Sequence, residues 1–231
     1  MIAAPLHIAG ERLMLCPSGV LLWPAQRLLA VADLHFEKGS HHAARGRMLP
    51  PYDTRETLSR LAQSLRRHAP SRVVLLGDSF HDAGAEQRMA TEDAAMLFRL
   101  LGALDVTWVL GNHDPVLPTG LPGQAMESLT LGPITFRHIG GAPLARYNEA
   151  EVSGHFHPKA SLETRGGAIS RPCFLADPRR VVLPAFGAFT GGLDVRDPAL
   201  AAFAPRGGRV FLLGRDRLYS APVGPNRHAA I

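Results

Sequence analysis

The stretch Val106-Thr107-Trp108-Val109-Leu110-Gly111-Asn112-His113-Asp114 decides the fold. An apolar run of this length reads as a buried strand, and it ends abruptly in an amide, an imidazole and a carboxylate. Those three groups sit at one point of a sheet edge, where they make a site rather than a core. Three further stretches have the same form. Asp33-Leu34-His35 follows Leu28 to Ala32, Gly77-Asp78 follows Val73 to Leu76, and His155-Phe156-His157 follows Val152-Ser153-Gly154. A short strand from Ile134 to Arg137 ends in His138.

Between these strands the spacing predicts helices. Leu58, Leu61, Ala62 and Leu65 form an i, i+3, i+4, i+7 stripe, with Asp53 as the expected N-cap and Glu56 three residues on. A second helix starts near Thr91 and ends at Gly102, with Glu92 and Asp93 in its first turn. Strand, ligand loop, helix, strand, ligand loop is βαβ organisation. Sheets of that kind place their sites at the carboxyl ends of strands. Alternation along an extended strand would point Asp33 and His35 the same way, so that both grip one ion.

The remaining segments are less regular. Residues 12–16 and 20–23 read as strands, and the C-terminal third adds four more, at 173–176, 181–184, 209–213 and 218–221, enough to complete a second sheet. Residues 36–51 read as an irregular loop rich in cations, in which Lys38, Arg45 and Arg47 are candidates for holding a substrate backbone. With 231 residues, 46% of them apolar, and no repeat or linker, the expectation is one domain over residues 1–231. Cys16 and Cys173 are isolated, which indicates neither a thiolate metal site nor a disulfide framework. No signal-like start or spanning apolar run is visible, so a cytoplasmic protein without a membrane partner is expected. The formal net charge of +5 makes an anionic partner plausible, nucleic acid first.

Seven side chains have metal-ligand chemistry: Asp33, His35, Asp78, Asn112, His138, His155 and His157. With one carboxylate shared, they give four ligands to each of two divalent ions. Two such ions and two carboxylates leave two positive charges, which a hydroxide and a phosphodiester cancel. Metals so placed activate water, hold the phosphoryl oxygen and align in-line attack. His113, next to Asn112 but facing elsewhere, is expected to be an imidazolium that meets the phosphate and protonates the leaving oxygen, with Asp114 orienting its ring. His81, three residues after Asp78, is expected to position a polynucleotide.

In series and in order, these motifs resemble the calcineurin-like binuclear metallophosphoesterase superfamily. The resemblance implies an α/β fold, a four-layered αββα sandwich of two packed mixed sheets flanked by helices. It also implies that Asp33, His35, Asp78 and His157 hold one metal, and Asp78, Asn112, His138 and His155 the other. The wording Asp33-Leu34-His35-Phe36-Glu37-Lys38-Gly39, Leu76-Gly77-Asp78-Ser79-Phe80-His81-Asp82 and Ser153-Gly154-His155-Phe156-His157-Pro158 is similar to the ligase-associated metallophosphoesterases of bacterial DNA-repair operons, the PdeM or MPE group. That likeness implies a Mn2+-dependent single-strand DNA endonuclease working with a helicase, a ligase and an exonuclease. The ligand types themselves accept manganese, iron or zinc. Two rivals remain: a nucleotide-type phosphodiesterase or phosphomonoesterase, and a non-catalytic scaffold of the same fold. Aromatic residues are only 6% of the chain, and no stacking stripe for single-stranded DNA is apparent.

Overall fold

The computed structural model describes residues 2–47, 49–164, 167–201, 203–204 and 207–224. Two mixed β-sheets pack face to face, with helices against their outer surfaces. The first sheet runs in chain order: β1 (Ala4–Ile8), β2 (Glu11–Leu15), β3 (Leu21–Trp23), β4 (Leu28–Ala32), β5 (Arg72–Leu76), β6 (Asp105–Val109) and β7 (Gln124–Met126). It is antiparallel up to β4 and parallel from β4 to β7. The second sheet is built from β8 (Ser128–Leu131), β9 (Ile134–Arg137), β10 (Ala150–Ser153), β11 (Lys159–Thr164), β12 (Gly167–Ala176), β13 (Arg180–Val182), β14 (Gly208–Leu213) and β15 (Leu218–Val223). Its order is β15-β14-β12-β13-β10-β9-β8, with β11 paired to β12, and among the described residues its only parallel neighbouring strands are β9, β10 and β13.

The period of two along the central strands explains why they read as continuous apolar runs. Leu28, Ala30 and Ala32 of β4, and Val74 and Leu76 of β5, face the second sheet and pack with Phe136, Val152, Phe174 and Val181. Leu29, Val31, Val73 and Leu75 face the other way, onto Leu58, Leu61 and Leu65 of α2 (Asp53–His68) and Leu97 and Leu101 of α4 (Thr91–Leu101). Each fully buried Val, Leu or Phe among them contributes roughly 1.5–3 kcal/mol. The outer layer on the second sheet is thin. It consists of α5 (Pro198–Ala201) with Leu200 and Phe203 packed on Cys173, Leu175 and Val182.

Two expectations are corrected. The segment after Phe36 is not a loop throughout, because Lys38–Ala43 forms the helix α1. Its six residues include Gly39 and two histidines and have little helical propensity, so tertiary bonds make it. Asp53 does not cap α2. It is that helix's first residue, Tyr52 is the N-cap, and the Asp53 carboxylate accepts the Gly39 N–H at 2.9 Å. Buried Glu37 accepts from the hydroxyls of Thr54 and Ser40 at 2.8 and 2.7 Å, which completes the tie between α1 and α2. Among the described residues no helix is long and apolar enough to cross a membrane. The Pro/Gly/Asn tail, residues 225–231, lies outside the described residues.

Candidate metal centre

The parallel strands β4, β5 and β6 of one sheet, and β9 and β10 of the other, bring their carboxyl ends to one place. Immediately past those ends the backbone turns left-handed. Asp33, His35, Asp78, His155 and His157 have φ of 55°, 47°, 46°, 70° and 46°. Non-glycine residues in this region cost about 1–3 kcal/mol each, and such outliers cluster at functional sites. Asp33 and His35 therefore converge because the chain leaves the strand at Ala32, not because of strand alternation. Gly77, at φ 73°, is required here, since a Cβ would collide with the His138 ring. Gly111 is equally constrained, because a Cβ there would collide with the Asp78 backbone and carboxylate.

The expected ligands assemble into two groups. Asp33, His35 and His157 offer ligand atoms within 4.8 Å of one another, and so do Asp78, His138 and His155. Asn112 joins the second group, its Oδ1 3.0 Å from His138 Nε2. Asp78 lies between the groups, with Oδ1 3.3 Å from His138 Nε2 and Oδ2 3.9 Å from His35 Nε2.

The donor set fits divalent cations. Nε2 atoms of His35 and His157 face each other at 3.3 Å, and His138 Nε2 faces His155 Nδ1 at 3.2 Å. Lone pairs so placed repel unless a proton or a cation lies between them. Ligand bonds of about 2.0–2.2 Å span these separations. His138 turns its Nδ1 to the Leu76 carbonyl at 3.4 Å, which leaves Nε2 for the centre. Burial and the neighbouring His157 push His35 far down, so its imidazole stays neutral, as a ligand must be. Burial opposes charge on Asp78, but the hydrogen bond from His138 holds its carboxyl below the usual range.

His113 stands at the mouth, with its side chain 40% exposed. Its Nδ1 donates to the His81 carbonyl at 2.8 Å, and its Nε2 lies 4.0 Å from Asp78 Oδ2. Asp114 does not orient that ring. Its buried carboxylate accepts the backbone N–H groups of Gly111, Asp78, Ser79 and Phe80 at 2.7–3.1 Å, clamping the loop after β5 to the loop after β6. Burial, with the Asp78 charge adding to it, pushes Asp114 up to about 6 against those donors.

His81 is buried rather than open to solvent, and its Nδ1 lies 3.2 Å from His35 Nδ1. Its ring stacks on His113, with centroids 5.1 Å apart and planes at 19°. Burial, then His41 and His113, lower it to about 4. His35, His81 and His113 form a third group within 4.8 Å.

Lys38 is half-buried, lowered by burial while Asp53 opposes, whereas Arg45 and Arg47 are exposed on the turn after α1. Burial and the charges of His41, Lys38, Arg47 and Arg45 push down His42, whose ring lies 5.8 Å from His81. The basic segment thus borders the histidine cluster.

The sequence reading missed how His41 is held. Its Nδ1 lies 2.5 Å from Asp82 Oδ2, Asp82 takes the Arg88 fork at 2.6 and 3.0 Å, and His41 meets the His81 ring edge-on at 4.6 Å. Nothing in the spacing of residues 41, 82 and 88 signals this contact.

With this geometry in view, the family model for calcineurin-like phosphoesterases matches residues 26–177, and the chain belongs to that family. It is a metallophosphoesterase, a hydrolase acting on phosphoester bonds with divalent metal ions. A solved structure similar to it is that of Pseudomonas putida nuclease MPE, with a TM-score of 0.72 and 30% identity over 95% of this chain and 100% of that one. That likeness places the chain with the MPE group. Among curated proteins no sequence matches.

Proposed function

We propose that this phosphoesterase is a manganese-dependent endonuclease for single-stranded DNA, working in cytoplasmic DNA repair as one domain over residues 1–231. The observation that carries the nuclease reading is the similarity to Pseudomonas putida nuclease MPE along nearly the whole chain. Manganese, single-strandedness and the company of a helicase, a ligase and an exonuclease rest on the likeness of the motifs.

Asp33, His35, Asp78 and His157 would hold one ion, and Asp78, Asn112, His138 and His155 the other. Two divalent ions held there supply Lewis acidity that activates water and neutralises the phosphoryl oxygens. The chain's own residues do the rest. His113 spends Nδ1 on the His81 carbonyl, so Nε2 is the atom it offers to the phosphate; as imidazolium it donates a hydrogen bond there and the proton that the leaving oxygen needs. His81 positions: it stacks on His113, contacts His35, and so fixes both rings beside the strand of DNA. Asp114 keeps the two loops in register. Lys38, Arg45 and Arg47 attract the polyanion, and their exposed members act mainly through long-range charge.

The test is a closed single-stranded circle with manganese, run beside Asn112→Ala. Wild type is expected to linearise and then fragment the circle while the variant leaves it intact. An intact circle with hydrolysis of a small diester would replace the nuclease with a small-substrate phosphodiesterase.

A further inference from the structure

Beside the second ligand group, the edge of the sandwich opens into a groove of about 370 Å3, in which Asn112 and His138 share the lining with Glu127, Ser128 and Arg137. Arg137 is the last residue of β9, and its side chain is 32% exposed. Behind it lies Glu151 of β10, 1% exposed, with Oε2 3.1 Å from Arg137 Nε and Oε1 3.5 Å from Nε of Arg180. The same Oε1 accepts the Gly141 N–H at 2.7 Å.

A buried carboxylate needs one counter-charge, and this one has two. Glu151, Arg137 and Arg180 together therefore keep one net positive charge, of which Arg137 is the member that reaches the groove, where exposed Glu127 adds one negative charge to the lining. Neither arginine Nε makes a well-formed hydrogen bond with Glu151 among the described residues, so the pairing is by charge; Arg180 spends Nη2 on the Ala142 carbonyl at 3.1 Å, which leaves the Arg137 Nη pair as the fork at the groove. Such a fork beside the ligand group, in a groove continuous with Asn112 and His138, suits a phosphate.

We propose that Arg137 is a substrate-binding residue, and that this groove seats the phosphodiester adjacent to the scissile one in a polynucleotide. The assignment rests on the nuclease reading above and deepens it. Contacts of this kind set the register of the strand without reading its sequence. They also separate a polynucleotide, which has a neighbouring phosphate, from a small diester, which has none.

The experiment uses a thymidine trinucleotide and its two isomers in which one linkage is a neutral methylphosphonate, with bis(p-nitrophenyl) phosphate as the small diester. For wild type, kcat/KM on one isomer is expected to fall about tenfold or more relative to the trinucleotide. Arg137→Gln is expected to lower the trinucleotide to that level, while leaving that isomer and the small diester unchanged. Arg137→Lys, which keeps a charge beside Glu151, is expected to lose less. In EDTA, the salt dependence of oligothymidylate binding, read by anisotropy, is expected to flatten by about 0.7 in log-log slope in Arg137→Gln. Equal loss on every substrate would make Arg137 a structural residue and overturn the proposal. So would wild type indifferent to both methylphosphonates. If wild type hydrolyses the small diester but neither the trinucleotide nor a single-stranded circle, the nuclease reading itself fails and the subsite falls with it.

Discussion

The wall of the candidate metal centre that comes from the first sheet and the wall that comes from the second carry the same kinds of side chain and hold them by different means. On the first, the loops after β5 and β6 are locked to each other through one buried carboxylate, Asp114, with four backbone N–H donors. On the second, the ligands lean across. The His155 N–H donates to the Asp33 carboxylate at 3.0 Å, and the His138 ring rests on the Leu76 carbonyl. The first wall is thus locked through a side chain, whereas the second has one backbone tie of its own, from the Gly154 N–H to the His138 carbonyl, and otherwise leans on the first. Damage to the first should spread to both ion sites, whereas damage to the second should stay local.

The largest effect is expected where the walls meet. Asp78→Asn should lower turnover about 1,000-fold or more, since it removes the carboxylate that faces both groups and the charge that holds divalent ions there. Steady-state hydrolysis of a small diester, with metal content by elemental analysis, checks it. His113→Gln should lower kcat about 100-fold or more with both ions retained, because its ring stands exposed at the mouth and belongs to neither of the two groups that Asp78 joins. A parallel loss of metal would give His113 a ligand's place in the third histidine group instead.

Asp114→Ala tests the asymmetry itself. Leaving buried N–H groups unpaired should cost about 3 kcal/mol or more, read from urea unfolding, and should lower occupancy at both ion sites. His157→Ala, by contrast, should empty only the site it lines.

Asp82 gives a pH signature. Burial works against its charge, but the Arg88 fork, His41 and the Gly84 N–H hold it well below the usual carboxylate range. A depressed folded pKa contributes stability above the unfolded value near 3.8, and that stability is lost as pH falls through the folded one. Asp82→Asn should therefore lower Tm at pH 7, and the gap from wild type should narrow below about pH 4. The smallest effect is expected at the exposed rim. Arg45→Ala with Arg47→Ala should weaken DNA binding a few-fold at low salt and hardly at all near 1 M, where charges beyond roughly 3 Å are screened.

The two walls also differ in how much of them was legible in the sequence. The candidate ligands were visible because each follows an apolar strand and has a side chain with little reason to sit there otherwise. Asp114 looked like the partner of its neighbour His113, yet its partners include residues 78–80, and only the fold brings that loop to it. The short helix α1 was hidden for the same reason, since it is made by Glu37 reaching to Thr54 of α2 and by Asp53 reaching from α2 back to Gly39. His81 looked free to meet substrate, whereas the structure turns it inward onto His35 and His113. Spacing shows what a residue can do, but tertiary neighbours decide whether it is free to do it.

The most direct test of a two-ion centre shared by both walls is an anomalous-scattering map from crystals grown with manganese. Two peaks are predicted, one among Asp33, His35 and His157, the other among Asn112, His138 and His155, with Asp78 touching both. A single peak, or a peak among His35, His81 and His113, would contradict the account.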